Sequence, residues 1–405
     1  MSPRADRAAS PTAERILVVC TQYLGDTLLA IPFLRNLRRR HPLAVIDVCA
    51  AAGPRALLDA CPYIDRFVSW QRPPRRRRRI ATAWAGIVAE AAWLRSQRYS
   101  RAYLLKPSLS AGVLATLAGI PARIGFHGES GPFLTRRVWR RVGRHQVEAY
   151  LDLLRAEGAE VDDAHNDNWV AEDAAHRVAA LLERLPAGRA RVFLAVRTTD
   201  PLKLWPADRW RTLLRWLVED RGCELVLCGG PADRAAHGEL LRSCPAALAA
   251  HLHDLSAEVP LADAAALMAR MDLCIGVDTG MVHLAASVGV PVAVIAGPSD
   301  PNRWQPWGTR SVVLRSARLR TSWSDRLAMA ARRGAPLGWP LGRADIDDIG
   351  VDDVRAAVTP LLAERPVRTL DLTHGSFRYA VVADGGSAVG PVSRGPAPAA
   401  AIPAT

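Results

Sequence analysis

The hydrophobic pattern of this chain switches repeatedly between short continuous runs and helical spacing. Residues 16–20 are an unbroken apolar run, the pattern of a strand buried on both faces of a parallel sheet. A turn follows at 21–26. Residues 27–40 then place Leu28, Ile31, Leu34 and Leu37 along one helical stripe that ends in a basic cluster. Pro32 falls within the first two turns, where a proline is tolerated. Further strands are expected at 44–49, 66–69 and 101–105, with a helix at 80–98. The composition turns acidic at 156–168 (AEGAEVDDAHNDN), which marks a domain boundary. A second series follows, with strands at 192–196, 224–228, 273–276 and 292–296 and helices at 207–220, 261–271 and 281–288. A last helix is expected at 352–364, interrupted at Pro360.

This alternation predicts a parallel α/β architecture. It divides into a disordered leader (1–14), a first Rossmann-like domain (15–165), a second (190–345), a C-terminal helix (346–365) and an extension (366–405). The extension holds strand-like pieces at 368–372 and 377–383, followed by Gly/Pro/Ala-rich sequence expected to be disordered. A chain of 405 residues exceeds one ordinary core and fits two domains. No apolar run approaches the roughly 18–20 residues needed to span a bilayer. The leader lacks a signal peptide's apolar core, so a cytoplasmic location is expected.

Cysteines and charge sharpen the picture. The seven cysteines include no CxxC pair and no matching His/Cys set, so they read as small buried hydrophobes, with no metal site. The net charge of +13 is unevenly placed. Residues 1–155 carry 26 Lys/Arg against 10 Asp/Glu, and the remainder 27 against 30. A basic half attracts an anionic partner such as a phosphorylated glycolipid, a membrane surface or a nucleic acid. Two arginine clusters stand out: Arg75, Arg76, Arg77, Arg78 and Arg79 after a Pro-Pro pair, and Arg136, Arg137, Arg140, Arg141 and Arg144 at helical spacing. Only two basic residues are lysines, Lys106 and Lys203, which singles both out. Lys106, Arg136, Arg137 and the run at 75–79 are assigned to an anionic-acceptor surface.

In open α/β sheets, ligands bind beyond the C-terminal ends of the strands. Three such turns in the second half suit a phosphorylated ligand. The first, 197–206, offers the hydroxyls and amides of Thr198 and Thr199 and the point charge of Lys203. The second carries Gly229 and Gly230, which let backbone approach a ligand closely, and then Asp233. The third, GVDTGMVH at 276–283, passes from strand to helix, so the free amides of the helix N-terminus face the ligand. Asp278 there suits sugar hydroxyls, and His283 in the first helical turn suits a diphosphate. In the first half, Gly25 permits a tight turn and Asp26 begins a helix. A carboxylate at that place is favoured by the helix dipole. It serves as a general base only in a closed, dry cleft.

The segments ILVVCTQYLGDTLLAIPFLRNLRRRHP, AGIPARIGFHGE, TTDPLKLWP, LCGGPAD and GVDTGMVHLAASVGVPVAVIAGPSDP resemble glycosyltransferase family 9, the ADP-heptose heptosyltransferases. The resemblance covers roughly residues 15–360, in order and at matching separations. It implies a GT-B fold, two Rossmann-like domains facing a central cleft. It also implies inverting, metal-independent transfer of heptose from ADP-heptose to a glycan hydroxyl, most simply on lipopolysaccharide core, with no cofactor. By the same resemblance, Asp26 is the catalytic base, and Thr198, Thr199 and Lys203 contact the donor phosphates. Asp278, Thr279, Gly280 and His283 surround the sugar diphosphate, and Gly229, Gly230 and Asp233 lie near the adenosine. The chain departs from many relatives in having no cysteine after the GPSDP motif, where 316–333 is arginine-rich.

Other readings are a transferase of the same fold acting on a protein or small molecule, a GT-B sugar-nucleotide epimerase, and a nonenzymatic basic protein. No RNA-binding, zinc, Walker A or GxGxxG signature is present, so a nucleic-acid partner, a P-loop kinase and a standard dehydrogenase are not expected. The expected partners are the donor and an anionic glycan or glycolipid, with peripheral contact at the inner-membrane surface.

Overall fold

A computed structural model of the chain describes residues 13–20, 23–70, 80–297, 299–315, 319–320, 343–344, 346–363, 367–371 and 376–380. The arginine run 75–79, most of the 316–333 segment, nearly all of the leader and the last 25 residues lie outside them.

Two six-stranded parallel sheets form the frame. The first comprises β1 (Arg15–Val19), β2 (Val45–Ala50), β3 (Arg66–Ser69), β4 (Arg101–Leu104), β5 (Ala122–Phe126) and β6 (Arg136–Val138), in the order β3-β2-β1-β4-β5-β6. The second comprises β7 (Arg191–Ala195), β8 (Glu224–Leu227), β9 (Leu252–Asp254), β10 (Leu273–Val277), β11 (Val292–Ala296) and β12 (Ser311–Arg315). Its order, β12-β11-β10-β7-β8-β9, is the same Rossmann-like winding. Alternate residues of each central strand feed opposite faces. Ile16 and Val18 join one core while Leu17 and Val19 join another. Phe193 and Val192 divide in the same way between the two cores of the second sheet. None of the seven cysteines forms a disulfide; six are buried and Cys244 is half-buried, as their apolar settings suggested.

The helix expected at 27–40 is two helices, α1 (Leu24–Leu28) and α2 (Ile31–Arg40). Pro32 has no N–H for the carbonyl of Leu28, so the helix breaks and restarts with the proline in its first turn. The helix expected at 261–271 is a 3-10 turn (Leu261–Asp263) leading into a short α-helix (Ala264–Met268). Helical spacing of the arginines at 136–144 was misleading. Residues 136–138 pair with β5, Ile124 opposite Arg136 and Phe126 opposite Val138, and a loop follows. Backbone bonding to the neighbouring strand overrides side-chain periodicity there.

Other helices are α3 (Ile80–Ser96), α4 (Leu109–Leu117), α5 (Gln146–Arg155), α6 (Glu172–Leu182), α7 (Ala207–Glu219), α8 (Pro231–Arg242), α9 (Gly280–Ser287) and α10 (Val351–Ala363). Contrary to expectation, α10 runs uninterrupted through Pro360. Pro360 and Ala356 both lie on the exposed face, where the unbonded carbonyl of Ala356 meets water. Two strands, Val367–Asp371 and Ser376–Ala380, form an antiparallel pair close to the pieces expected in the extension.

The segment joining the two sheets is fastened on both sides. Arg35 of α2 donates to Asp163 and Asp167 at 2.8 Å each and to the carbonyl of His165. Asn36 donates to the carbonyl of Asp163 at 2.6 Å, and Tyr63 to Asp167 at 2.6 Å. From the second domain, Trp307 donates to the carbonyl of Ala164 at 2.7 Å, and Asn168 donates to Ser287 at 3.1 Å. The domains also share apolar packing, with Leu28 and Ile31 reaching the second domain's core and Trp304 and Trp307 reaching the first's.

Candidate active site

Both sheets reverse their winding direction between two central strands, and each reversal opens a crevice at the strands' C-terminal ends. In the first sheet the reversal lies between β1 and β4. Asp26 stands in the first turn of α1, just beyond β1, and is 6% exposed. Lys106 stands just beyond β4. Its Nζ lies 2.6 Å from Asp26 Oδ2 and 5.1 Å from the Tyr23 ring centroid. Lys106, expected on an acceptor or anionic surface, is thus an ion-pair partner of Asp26.

In the second sheet the reversal lies between β7 and β10. The loop after β7 carries Thr198, half-buried, and Thr199, exposed. Asp200 caps the 3-10 turn Pro201–Lys203 by accepting from the amide of Leu202 at 3.2 Å. That turn aims Lys203 at Asp278, beyond β10, with Nζ 2.5 Å from Oδ2 and 3.5 Å from the backbone carbonyl. Burial pushes the Asp278 carboxyl up, but the charges of Lys203 and His283 and the hydrogen bonds from Lys203 and Ser299 outweigh it and hold it below the usual carboxylate range. Thr279 is the N-cap of α9, whose first turn holds Gly280 and His283. His283 Nε2 lies 3.9 Å from Asp278 Oδ1, and Nδ1 is buried without a partner. Burial lowers the pKa of His283 against the pull of Asp278 and Asp26.

The two crevices meet because α1 packs on α9. A Cβ on Gly25 would sit 2.7 Å from His283 Cδ2, and one on Gly280 would sit 2.8 Å from Leu24 Cβ. Only hydrogens at these two positions let the Asp26 helix and the Asp278–His283 turn touch. The glycine loop after β8 is less open. Asp233 Oδ2 accepts from the amide of Gly230 at 3.0 Å, so this carboxylate caps its own helix α8.

The sequence model described as "Glycosyltransferase family 9 (heptosyltransferase)" matches residues 89–326, more than half of the chain. The chain belongs to glycosyltransferase family 9. It is therefore a glycosyltransferase, and its paired sheets are a GT-B fold. It is 28% identical over 320 residues to lipopolysaccharide heptosyltransferase 2 of Escherichia coli K12, covering 74% of this chain and 88% of that protein. It is 27% identical over 322 residues to lipopolysaccharide heptosyltransferase 1 of the same strain, covering 75% and 94%. Among solved structures, a family 9 glycosyltransferase from Veillonella parvula superposes with a TM-score of 0.71 at 22% identity, over 87% of this chain and 98% of that one. The E. coli ADP-heptose lipopolysaccharide heptosyltransferase II gives 0.67 at 24%, over 86% and 98%.

Within this family 9 cleft, several residues escaped sequence reasoning. His145 lies between the domains. Its Nδ1 accepts from the amide of Val147 at 3.2 Å, so the proton is on Nε2, which donates to the carbonyl of Gln305 at 2.9 Å. Its ring stacks on Trp307 at 4.3 Å, and burial lowers its pKa to about 4. Arg303 is the second residue after the GPSDP motif and donates to Gln146 at 2.9 Å, again across the cleft. The arginine cluster at 136–144 divides. Arg136 and Arg137 are exposed, Arg144 pairs with Glu148 and Asp152, and Arg140 turns inward over the Phe126 ring. No helix among the described residues is long and apolar enough to cross a membrane.

Proposed function

We propose that this chain transfers a heptose from ADP-heptose to a hydroxyl of a lipopolysaccharide-type acceptor, with inversion at the anomeric carbon and without a metal ion. The observation that carries the reading is the contact of α1 with α9, which sets Asp26 beside the Asp278–His283 turn. Lys203, the amides of Thr198, Thr199 and Gly280, and His283 form the donor side, with Gly229 and Gly230 toward the nucleoside. Asp26 takes the acceptor's proton as its oxygen bonds to the anomeric carbon. The bond to the phosphate oxygen breaks, and ADP leaves with the electron pair. Cationic side chains and the α9 N-terminus stabilise that leaving charge. Asp278 orients Lys203 and His283.

The names of the curated relatives support the heptose and the lipopolysaccharide acceptor. The test is ADP release from ADP-heptose and from other nucleotide sugars, with and without a heptose-free lipopolysaccharide and with and without EDTA. Asp26→Ala is expected to lower transfer by about 10²–10⁴-fold, the usual weight of a general base, with ADP affinity nearly intact. Full activity in that variant removes Asp26 as the base.

The same reading places the enzyme against the inner-membrane surface. Trp139 and Val142 are 71% and 104% exposed, on a loop flanked by the exposed Arg136, Arg137 and Arg141. Such an apolar tip with basic flanks suits an anionic bilayer interface. Trp139→Ser with Val142→Ser is expected to lower binding to phosphatidylserine-containing vesicles. Equal binding removes the loop as the contact.

A further inference from the structure

The chain uses lysine only twice among its 53 basic residues, and each lysine holds a buried aspartate beyond a central strand. Lys203 does so for Asp278 in the second domain, and Lys106 for Asp26 in the first. The two differ in what else surrounds the ammonium. Lys106 Nζ lies 5.1 Å from the Tyr23 ring centroid and 6.0 Å from that of Trp304. Tyr23 is the N-cap of α1, in the first domain. Trp304 ends the short helix Pro301–Trp304, in the second. One ammonium is thus gathered by a carboxylate and two aromatic faces, and one of those faces comes from across the cleft.

The segment that carries Trp304 is anchored at both ends. On the second domain, Ser299 hydrogen-bonds the Asp278 carboxylate. A Cβ on Gly297 would sit 3.0 Å from the carbonyl oxygen of Leu202, in the turn that aims Lys203. Asp300 then caps the short helix by accepting from the amide of Asn302 at 3.1 Å. On the first domain, Arg303 Nε donates to Gln146 at 2.9 Å, and the carbonyl of Gln305 accepts from His145 at 2.9 Å. Residues 299–305 therefore strap the Lys203–Asp278 pair of one domain to the Lys106–Asp26 pair of the other. A lysine stem is flexible and carries a large rotamer entropy. A cation within about 6 Å of an aromatic face is attracted to it, so each ring removes part of that freedom. The share supplied by Trp304 exists only while the strap is docked. A compact ammonium also meets two rings and a carboxylate at once more readily than a planar guanidinium does, which suits lysine to this place in a chain that otherwise uses arginine.

We infer that Lys106 and Trp304 are positioning residues for the transfer: Trp304, carried by the strap, holds the Lys106 ammonium against Asp26, so that the base is set only when the second domain is docked on the first. This rests on the reading of Asp26 as the base. Lys106 acts by fixing the Asp26 carboxylate, and Trp304 acts through Lys106. The base belongs to one domain and the Asp278 turn to the other, so a contact that spans both ties the base to the closed cleft.

The experiment is a double-mutant cycle on the full chain, read by steady-state transfer from ADP-heptose to heptose-free lipopolysaccharide and by thermal unfolding. Lys106→Met is expected to lower kcat by about tenfold or more, with both KM values within about threefold. Lys106→Arg, which restores the charge, should regain about threefold or more over Lys106→Met. Trp304→Leu is expected to lower kcat about three- to tenfold, the scale of one cation–π contact, and Trp304→Phe should fall between it and wild type. In the Lys106→Met background, Trp304→Leu should lower kcat by less than about twofold further. This arm is decisive because Arg303 also lies over Trp304, Cζ 4.8 Å from the ring centroid, and a loss acting through that contact would persist without Lys106. Such persistence overturns the inference, as do wild-type kcat in Lys106→Met or Trp304→Leu, no gain in Lys106→Arg, or losses confined to KM. The contact itself is read without turnover: the two single variants together should lower the unfolding temperature by more than the double variant does, and strict additivity overturns the contact. If Lys106→Met fails to fold, the Trp304 series carries the test, and equal kcat in its Phe and Leu variants overturns the inference. Failure of the base is read separately. Full activity in Asp26→Ala removes the base, whereas an inactive Asp26→Ala beside a fully active Lys106→Met leaves the base standing and removes the positioning role.

Discussion

The meeting of α1 and α9 can be probed by adding one methyl group. In Gly25→Ala the new Cβ would lie 2.7 Å from His283 Cδ2, whereas ordinary contact begins at 3.4 Å. The shortfall is about 0.7 Å, on the scale where a 1 Å misplacement in an active site costs about 10²-fold in rate. His283 is 4% exposed and cannot swing into solvent. The strain must then be relieved by moving α1, and Asp26 with it, away from the Asp278–His283 turn. Overpacking of this kind costs about 1–3 kcal/mol, or roughly 2–10 °C in unfolding temperature for a domain of this size. Steady-state kinetics at saturating donor and acceptor should show kcat reduced about 30- to 100-fold, with ADP affinity by calorimetry within about threefold. In a double-mutant cycle read by unfolding, His283→Ala should be less costly in the Gly25→Ala background than alone. The expected coupling is about 1–3 kcal/mol. A Gly25→Ala enzyme with wild-type kcat and wild-type unfolding temperature would refute the argument that this contact sets the catalytic geometry.

Lys203→Ala removes the charged donor of the proposed phosphate site and leaves buried Asp278 without its main counter-charge. ADP affinity should fall about 10- to 150-fold, the worth of one charge-assisted hydrogen bond, and unchanged calorimetric affinity would exclude Lys203 from phosphate binding. His145 predicts a pH dependence. Its folded pKa of about 4 lies below the ordinary histidine value of 6.5, so the unfolded chain binds the proton first as pH falls. Stability from this group is present above pH 6.5 and is lost between 6.5 and about 4, by about 3 kcal/mol in all. The difference in unfolding free energy between wild type and His145→Gln should shrink across that window, and a pH-independent difference would show that His145 is not held neutral.

How much of this was legible in the sequence depends on the range of the interactions. The central strands show as continuous apolar runs because both faces of each sheet are covered, and the two ligand turns show because glycine and capping residues mark strand-to-helix passages. Pairings over long separations do not show. Lys106 and Asp26 are 80 residues apart, and only the rarity of lysine in this chain drew attention to Lys106. Arg303 reaches Gln146 across 157 residues and left no local signal beyond its place after the GPSDP motif. The arginines at 136–144 misled because charge spacing ignores the backbone bonds to β5 that make 136–138 a strand. The break between α1 and α2 was foreshadowed by Pro32, whose cost was underestimated.

The fastened segment at 163–168 limits how this enzyme can move. Arg35 and Asn36 tie it to one domain and Trp307 and Asn168 to the other, so neither domain can slide away without losing several of these bonds at once. A relative motion that keeps these bonds is a rotation about that segment, with the largest travel far from it. Opening and closing of the cleft then share one coordinate, the opening angle, and a bound molecule that spans both blades acts as a latch. Hydrogen exchange should accordingly stay slow at 163–168 through the catalytic cycle, whichever ligands are bound.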